Sequence, residues 1–235
     1  MKPKNYLLLL LTIALSVSLI FIGNLAGTVV LNNSLPAIIN KNIIYQSVTL
    51  LLTVLFLIVL RFSRKEVFTT YFRKGEISAP ILPERWIGIK PKETENWKLY
   101  GRNFAVIITA VTTVVVFFQV INLENVDWGN LPKYLHFILL FSLTNSFVEE
   151  MITRFGVVVS LKNALSDKAI PFISAVIFGI LHYWGTPGGF AGVIFAGFLG
   201  WFLSKSIIET GGIYLAWLIH FLQDVIIFSA MILIL

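Results

Sequence analysis

Leu140 to Val158 reads LFSLTNSFVEEMITRFGVV, and two adjacent carboxylates, Glu149 and Glu150, with Arg154 shortly after them, stand inside this largely apolar run. A charged side chain at the centre of a bilayer is disfavoured by about 3 kcal/mol on insertion scales, so such groups are rare and mark functional sites. The rest of the chain is organised by the question of which other residues meet these three.

Their surroundings are those of a membrane protein. Of 235 residues, 57% are hydrophobic and 13% charged, about half the charge share of a soluble domain, and the mean hydropathy is +0.86. Several apolar runs approach or exceed the ~18 residues that suggest a bilayer-crossing helix. These features exclude an ordinary soluble domain and imply an all-α fold, a polytopic transmembrane helical bundle. The net charge of +6 does not point to nucleic acid, because ten of the 18 Lys and Arg lie between Arg61 and Arg102, beside the end of an apolar run. A basic juxtamembrane loop of that kind marks the cytoplasmic face. With no cysteine, disulfides, thiol nucleophiles and thiolate metal ligands are excluded.

Lys2 and Lys4 precede an apolar run from Tyr6 to Ile22. It is longer than the core of a cleaved signal peptide, so an uncleaved first helix with a cytoplasmic N-terminus is expected. Asn24 to Asn42 is polar and reads as a loop. Ile43 to Leu60 is a second span that ends on the basic RFSRK, Arg61 to Lys65. Phe62 to Arg102 holds Pro80, Pro83 and Pro91 and reads as a solvated loop, with Trp86 and Trp97 at headgroup level. Phe104 to Ile121 is rich in β-branched residues, but a lone strand leaves its backbone unpaired in lipid, so a third span is expected. An external loop with Glu124 and Asp127 follows. The later spans are expected at about Lys133 to Leu161, Pro171 to Trp184, Phe190 to Ser204 and Ile213 to Leu235. Gly192, Ala196 and Gly200, evenly spaced on one helix face, predict a close helix contact. The total is 7–8 spans, the eighth arising if a polar segment re-enters. Two parts result: residues 1–130, N-terminal transmembrane helices with the basic loop 61–102, and residues 131–235, the helical core that holds the buried charges.

From the fourth span onward the helices contain Glu149, Glu150, Arg154, His182, His220 and Asp224, whereas the first three contain no charged residue or histidine. Glu150 and Arg154, at i and i+4, share a helix face and can pair; a self-neutralising structural ion pair accounts for both. Glu149 is turned by about 100° from Glu150, which leaves one carboxylate comparatively free to act as a general base. His182 follows Phe178 in FGILH, and Asp224 follows His220 in HFLQD, where it is placed to orient or charge-stabilise the imidazole. A lone intramembrane histidine is often only a helix-to-helix hydrogen-bonding group. Two histidines and three carboxylates on apolar helices, however, each need a partner. His136, about four turns from Glu149, falls at the interface and outside the site.

No HExxH zinc-protease helix, GxSxG nucleophile elbow or cysteine is present. A carboxylate and a histidine can activate water while a second histidine stabilises an oxyanion, which is equipment for hydrolysing an amide bond. Glu149, His182 and His220 are also ordinary zinc ligands and could hold a divalent metal with water at an open position. Spacing does not choose between the two. Intramembrane Glu, His and Asp build proton relays as well, so a proton-coupled transporter is the rival reading. A catalytically inactive immunity or scaffold membrane protein is a third.

EEMITR (Glu149 to Arg154), FGILH (Phe178 to His182) and HFLQD (His220 to Asp224) stand in that order on separate apolar helices. They resemble the EExxxR, FxxxH and HxxxN/D motifs of the CAAX-protease and bacteriocin-processing family (CPBP, or Abi), which includes the type II CAAX prenyl endopeptidases. The resemblance covers roughly Leu131 to Leu235. It implies an intramembrane endopeptidase with its polar site in a cavity of the bundle; the compact chain and basic loop suggest a prokaryotic plasma membrane. The expected partners are membrane lipid and a peptide or protein substrate, lipidated or a bacteriocin or pheromone precursor. The resemblance further implies that Glu149 with His182 activates water, that His220 and Asp224 bind the oxyanion, and that Glu150 and Arg154 shape the site. Metalloprotease and glutamate-protease descriptions of the family are both compatible with the sequence. Asp224 departs from the Asn typical of CAAX endopeptidases, and an ionised Asp repels an oxyanion.

Overall fold

In lipid each peptide group must find its hydrogen-bond partner within its own segment, so long apolar runs fold as helices. The computed structural model of the chain describes residues 3–120, 126–186 and 188–235; Lys2 and Glu124 lie outside them. In chain order the helices are α1 (Pro3–Ala26), α2 (Ala37–Ser63), α3 (Lys65–Tyr71), α4 (Trp97–Val120), α5 (Asn130–Glu149), α6 (Gly156–Leu161), α7 (Ala169–Leu181), α8 (Gly189–Thr210) and α9 (Tyr214–Leu233). A π-helical stretch, Glu150–Phe155, joins α5 to α6 without a break.

Among the described residues, 6 helical stretches are long and apolar enough to cross a membrane, and a shorter apolar one runs from Ala169 to Trp184. With that shorter stretch the apolar helices number seven, although the 13 residues of α7 extend only about 20 Å against a hydrocarbon core of about 30 Å. The α5–α6 rod is the centre of the bundle. From Glu150 to Leu161 every residue is buried, the charged Glu150 and Arg154 included. Helices α1, α2, α7, α8 and α9 pack around it.

One end of the bundle gathers the basic segment. Arg64 donates to Asn5 Oδ1 at 2.7 Å and to the Lys162 carbonyl at 2.5 Å, which ties α1 and α2 to the end of the central rod. Burial alone would lower the Lys162 ammonium, but hydrogen bonds with Asp167 and Tyr71 outweigh it and hold the group above the usual lysine range. Residues 73–97, read from sequence as a solvated loop, instead form a strap across this end. Glu76 N–H donates to the Thr210 carbonyl at 2.7 Å and Ile213 N–H to the Arg73 carbonyl at 3.0 Å. Glu209 accepts from the Trp97 indole at 3.0 Å and from Leu82 N–H at 3.1 Å, while Lys205 pairs with Glu209 and with Glu84. Trp97, expected at headgroup level, is therefore fully buried, whereas Trp86 stays exposed beside Trp201. At the opposite end Asp127 N–H donates to the Leu233 carbonyl at 2.9 Å, so α1 starts at the strapped end and α9 finishes at the other.

The α7–α8 contact depends on missing side chains. A Cβ on Gly179 would lie 2.8 Å from the Val193 carbonyl oxygen and 3.1 Å from Gly197 Cα. The approach uses Gly197 and Gly200, while Ala196, from the expected Gly192–Ala196–Gly200 stripe, faces a cavity. The obstacle at Gly179 is backbone, which cannot swing aside. Gly179→Ala should therefore destabilise the protein by about 1–3 kcal/mol, read as a lower melting temperature in detergent. An unchanged melting temperature would show that the two helices part freely.

Candidate active site

The site is built where the central rod changes helical form. In the π-helical stretch, Gly156 N–H donates to the Met151 carbonyl, five residues back, and such stretches concentrate at functional sites. Gly156 admits α2 here, since a Cβ would lie 2.8 Å from the Phe56 ring. Glu149, at the last turn of regular α-helix, lines a cavity of about 470 Å³, while Glu150 points into the packed interior with a fully buried side chain.

A buried charge needs a partner, and Glu150 has two. Its Oε1 lies 3.1 Å from Arg154 Nη1 and 2.8 Å from His220 Nδ1. Arg154 Nη1 also donates to Thr153 Oγ1 at 3.0 Å, and its guanidinium lies 3.5 Å above the centre of the Phe178 ring. That ring is the hub of the site: it lies 4.1 Å from His182, tilted by 52°, and meets His220 edge-on at 5.7 Å. Cation–π attraction of this kind is strongest when desolvated, as it is here. The guanidinium thus has a face to rest on where its Nε and Nη2 find no hydrogen-bond acceptor among the described residues.

His220 is aimed by Glu150, not by Asp224 as the HFLQD spacing suggested. A carboxylate accepts, so Nδ1 carries the proton on that side and Nε2 turns toward the cavity. There Nε2 stands 3.5 Å from Glu149 Oε2 and 3.7 Å from Asp224 Oδ1, both beyond a full hydrogen bond. His182 reaches the same cavity from the end of α7. Its Nδ1 donates to the Phe178 carbonyl at 3.0 Å, which leaves Nε2 of the neutral ring as an acceptor.

Glu149, His182, His220 and Asp224 therefore share one cavity, with Glu150 and Arg154 packed behind them. His136 is exposed on α5 and does not line it. The sequence offered Glu149, His182 and His220 as a divalent-metal set. Among the described residues no three His, Asp or Glu side chains are gathered as a ligand set.

Two residues that the sequence reading passed over complete the cavity. Asn145 Nδ2 donates to Glu149 Oε1 at 3.2 Å and to Asp224 Oδ2 at 3.1 Å. Its i, i+4 spacing to Glu149 was a readable signal. Tyr45 on α2 lines the cavity with its ring against Gly23 of α1; nothing in the local sequence marks it, because the pairing spans two helices. The cavity extends from the carboxylates toward Asn24 and Lys41, away from the strap.

No curated protein and no solved structure matches the chain. Residues 131–226 match the family described as type II CAAX prenyl endopeptidase Rce1-like. The matched segment contains the whole π-helical stretch, Glu149, Phe178, both cavity histidines and Asp224. Over residues 131–226 the chain is thus similar to the Rce1-like family of type II CAAX prenyl endopeptidases.

Proposed function

We propose that the protein hydrolyses a peptide bond of a membrane-associated peptide or protein by glutamate-type chemistry that needs no metal. The observation that carries this reading is the approach of Glu149 Oε2 to His220 Nε2, 3.5 Å apart in a cavity that His182 also lines. A reacting oxygen about 3 Å from each would lie between a base and a donor. In this reaction Glu149 takes a proton from a water that also hydrogen-bonds to the Nε2 lone pair of His182. The water oxygen bonds to the substrate carbonyl carbon, and the carbonyl electron pair moves onto its oxygen. His220, as an imidazolium paired with Glu150, donates from Nε2 to that oxyanion. Glu149 then passes the proton to the amide nitrogen as the C–N bond breaks, giving a carboxylic acid and an amine. Asp224 faces the same imidazole and supports its charge, so an ionised Asp224 has no need to touch the oxyanion. The same reading sets the strapped, basic end in the cytoplasm of a prokaryotic cell, by the positive-inside rule, and takes the substrate from membrane lipid.

The test uses the full chain in liposomes with a quenched fluorescent peptide that ends in a prenylated CAAX sequence, beside its unprenylated counterpart. His182→Ala should lower kcat by about 10²–10³-fold, and 1,10-phenanthroline should leave the wild-type rate unchanged. Undiminished cleavage by His182→Ala would overturn the water-activating role. Loss of activity with the chelator and recovery with zinc would move the chemistry to a metal.

A further inference from the structure

Resting on the assignment of Glu149 as the base, we propose that Asn145 is the positioning residue that sets the Glu149 carboxylate for proton abstraction. The four groups form a closed ring. Asn145 Nδ2 bridges Glu149 Oε1 and Asp224 Oδ2, at 3.2 and 3.1 Å. On the other side His220 Nε2 faces the remaining oxygens, Glu149 Oε2 at 3.5 Å and Asp224 Oδ1 at 3.7 Å. The two carboxylates are thus spanned twice, once by an amide and once by an imidazole.

The two spans are chemically unlike. A primary amide nitrogen carries two hydrogens, and here each has its own carboxylate, so the Asn145 donors are fully committed. The imidazole side is looser, beyond full hydrogen-bond range, and is where charge and protons move in the proposed reaction. Asn145 has no titratable proton, so it holds its side of the ring in every protonation state. It also separates two acceptor-only groups that would otherwise repel. With Oε1 fixed by Asn145, the oxygen left to meet water is Oε2, the one that faces His220. The backbone gives this arrangement a rigid base: Asn145 and Glu149 are one turn apart on α5, and Thr153 Oγ1 ties back to the Glu149 carbonyl at 2.7 Å.

A residue that only fills space would act on stability, whereas a positioning residue acts on turnover through Glu149. In the liposome assay, with the prenylated CAAX peptide as probe, Asn145→Ala should lower kcat by about 10²-fold, the scale of a misplaced catalytic group, with KM little changed. In a Glu149→Gln background it should lower the residual rate no further, because the group it positions is gone. Asn145→Ser, which keeps one donor, should retain more activity than Asn145→Ala at the same melting temperature. Asn145→Asp, nearly the same shape but without a permanent donor, should fall at least as far as Asn145→Ala. Wild-type kcat in Asn145→Ala, or equal and additive losses in both backgrounds, would overturn the proposal. If Glu149→Gln itself cleaves normally, it is the assignment of the base that fails, a result distinct from an inactive Glu149→Gln beside a fully active Asn145→Ala.

Discussion

Glu149→Gln is expected to lower kcat by about 10³-fold or more, within the range that general bases contribute, while the protein keeps its fold. Gln is nearly isosteric with Glu, and the Glu149 side chain is 16% exposed to the cavity, so the change removes a proton acceptor without opening a void. The contrast with its neighbour makes the experiment informative. Glu150 is fully buried, and its Oε1 holds both Arg154 and His220. Glu150→Gln should therefore lower stability as well as rate, because a buried guanidinium loses its counter-charge. Melting temperature and kcat of the two variants, compared in the same liposomes, separate the roles. A Glu149→Gln enzyme that still turns over at the wild-type rate would remove Glu149 from the chemistry and revive the reading of an inactive scaffold.

Arg154→Met should be the most destabilising single change in the site, by about 3–5 kcal/mol, the range seen when one partner of a buried ion pair is removed. Two losses coincide there. Glu150 is left with a charge and only His220 to meet it, and Phe178 loses the cation stacked on its face. Replacing both partners, Arg154→Met with Glu150→Gln, should recover much of the stability, since apolar replacement of a whole buried pair is often neutral. It should not recover activity, because His220 would no longer be held by a carboxylate. Chemical denaturation in detergent measures the first expectation and peptide cleavage the second. If Arg154→Met melts like the wild type, the pair is not the keystone that its burial suggests.

Much of this architecture is legible in the amino-acid sequence because lipid permits so few backbone solutions. The apolar runs at Tyr6–Ile22 and Ile43–Leu60 fall within α1 and α2, and the long run after Lys133 falls within the central rod. The segment that opens α4 was harder to read. Trp97 looks like an interfacial anchor until Glu209, 112 residues on, accepts its indole hydrogen. The short α7 reads as a span because hydropathy reports apolarity, whereas its length depends on where the 3₁₀ turn at His182 begins. Within the site, the residue types were plain but the partners were not. Local spacing offered Asp224 as the orienting group for His220, whereas the structure supplies Glu150 from 70 residues away. Such pairings follow from how α9 lies against the central rod, which no periodicity in either segment encodes.

The π-helical stretch gives the central rod a property that a plain helix lacks. It packs one extra residue into a length that would hold a regular turn, as though a single codon had been inserted between Glu149 and Gly156. On one side of it Asn145 and Glu149 keep step with the cavity; on the other, Gly156 and its neighbours keep step with Phe56 and the interior. Wound as ordinary α-helix with every residue kept, the rod would turn its two halves against each other by about 100°. A gene that lost three nucleotides there would shed the extra residue and leave both halves of the rod facing as they do.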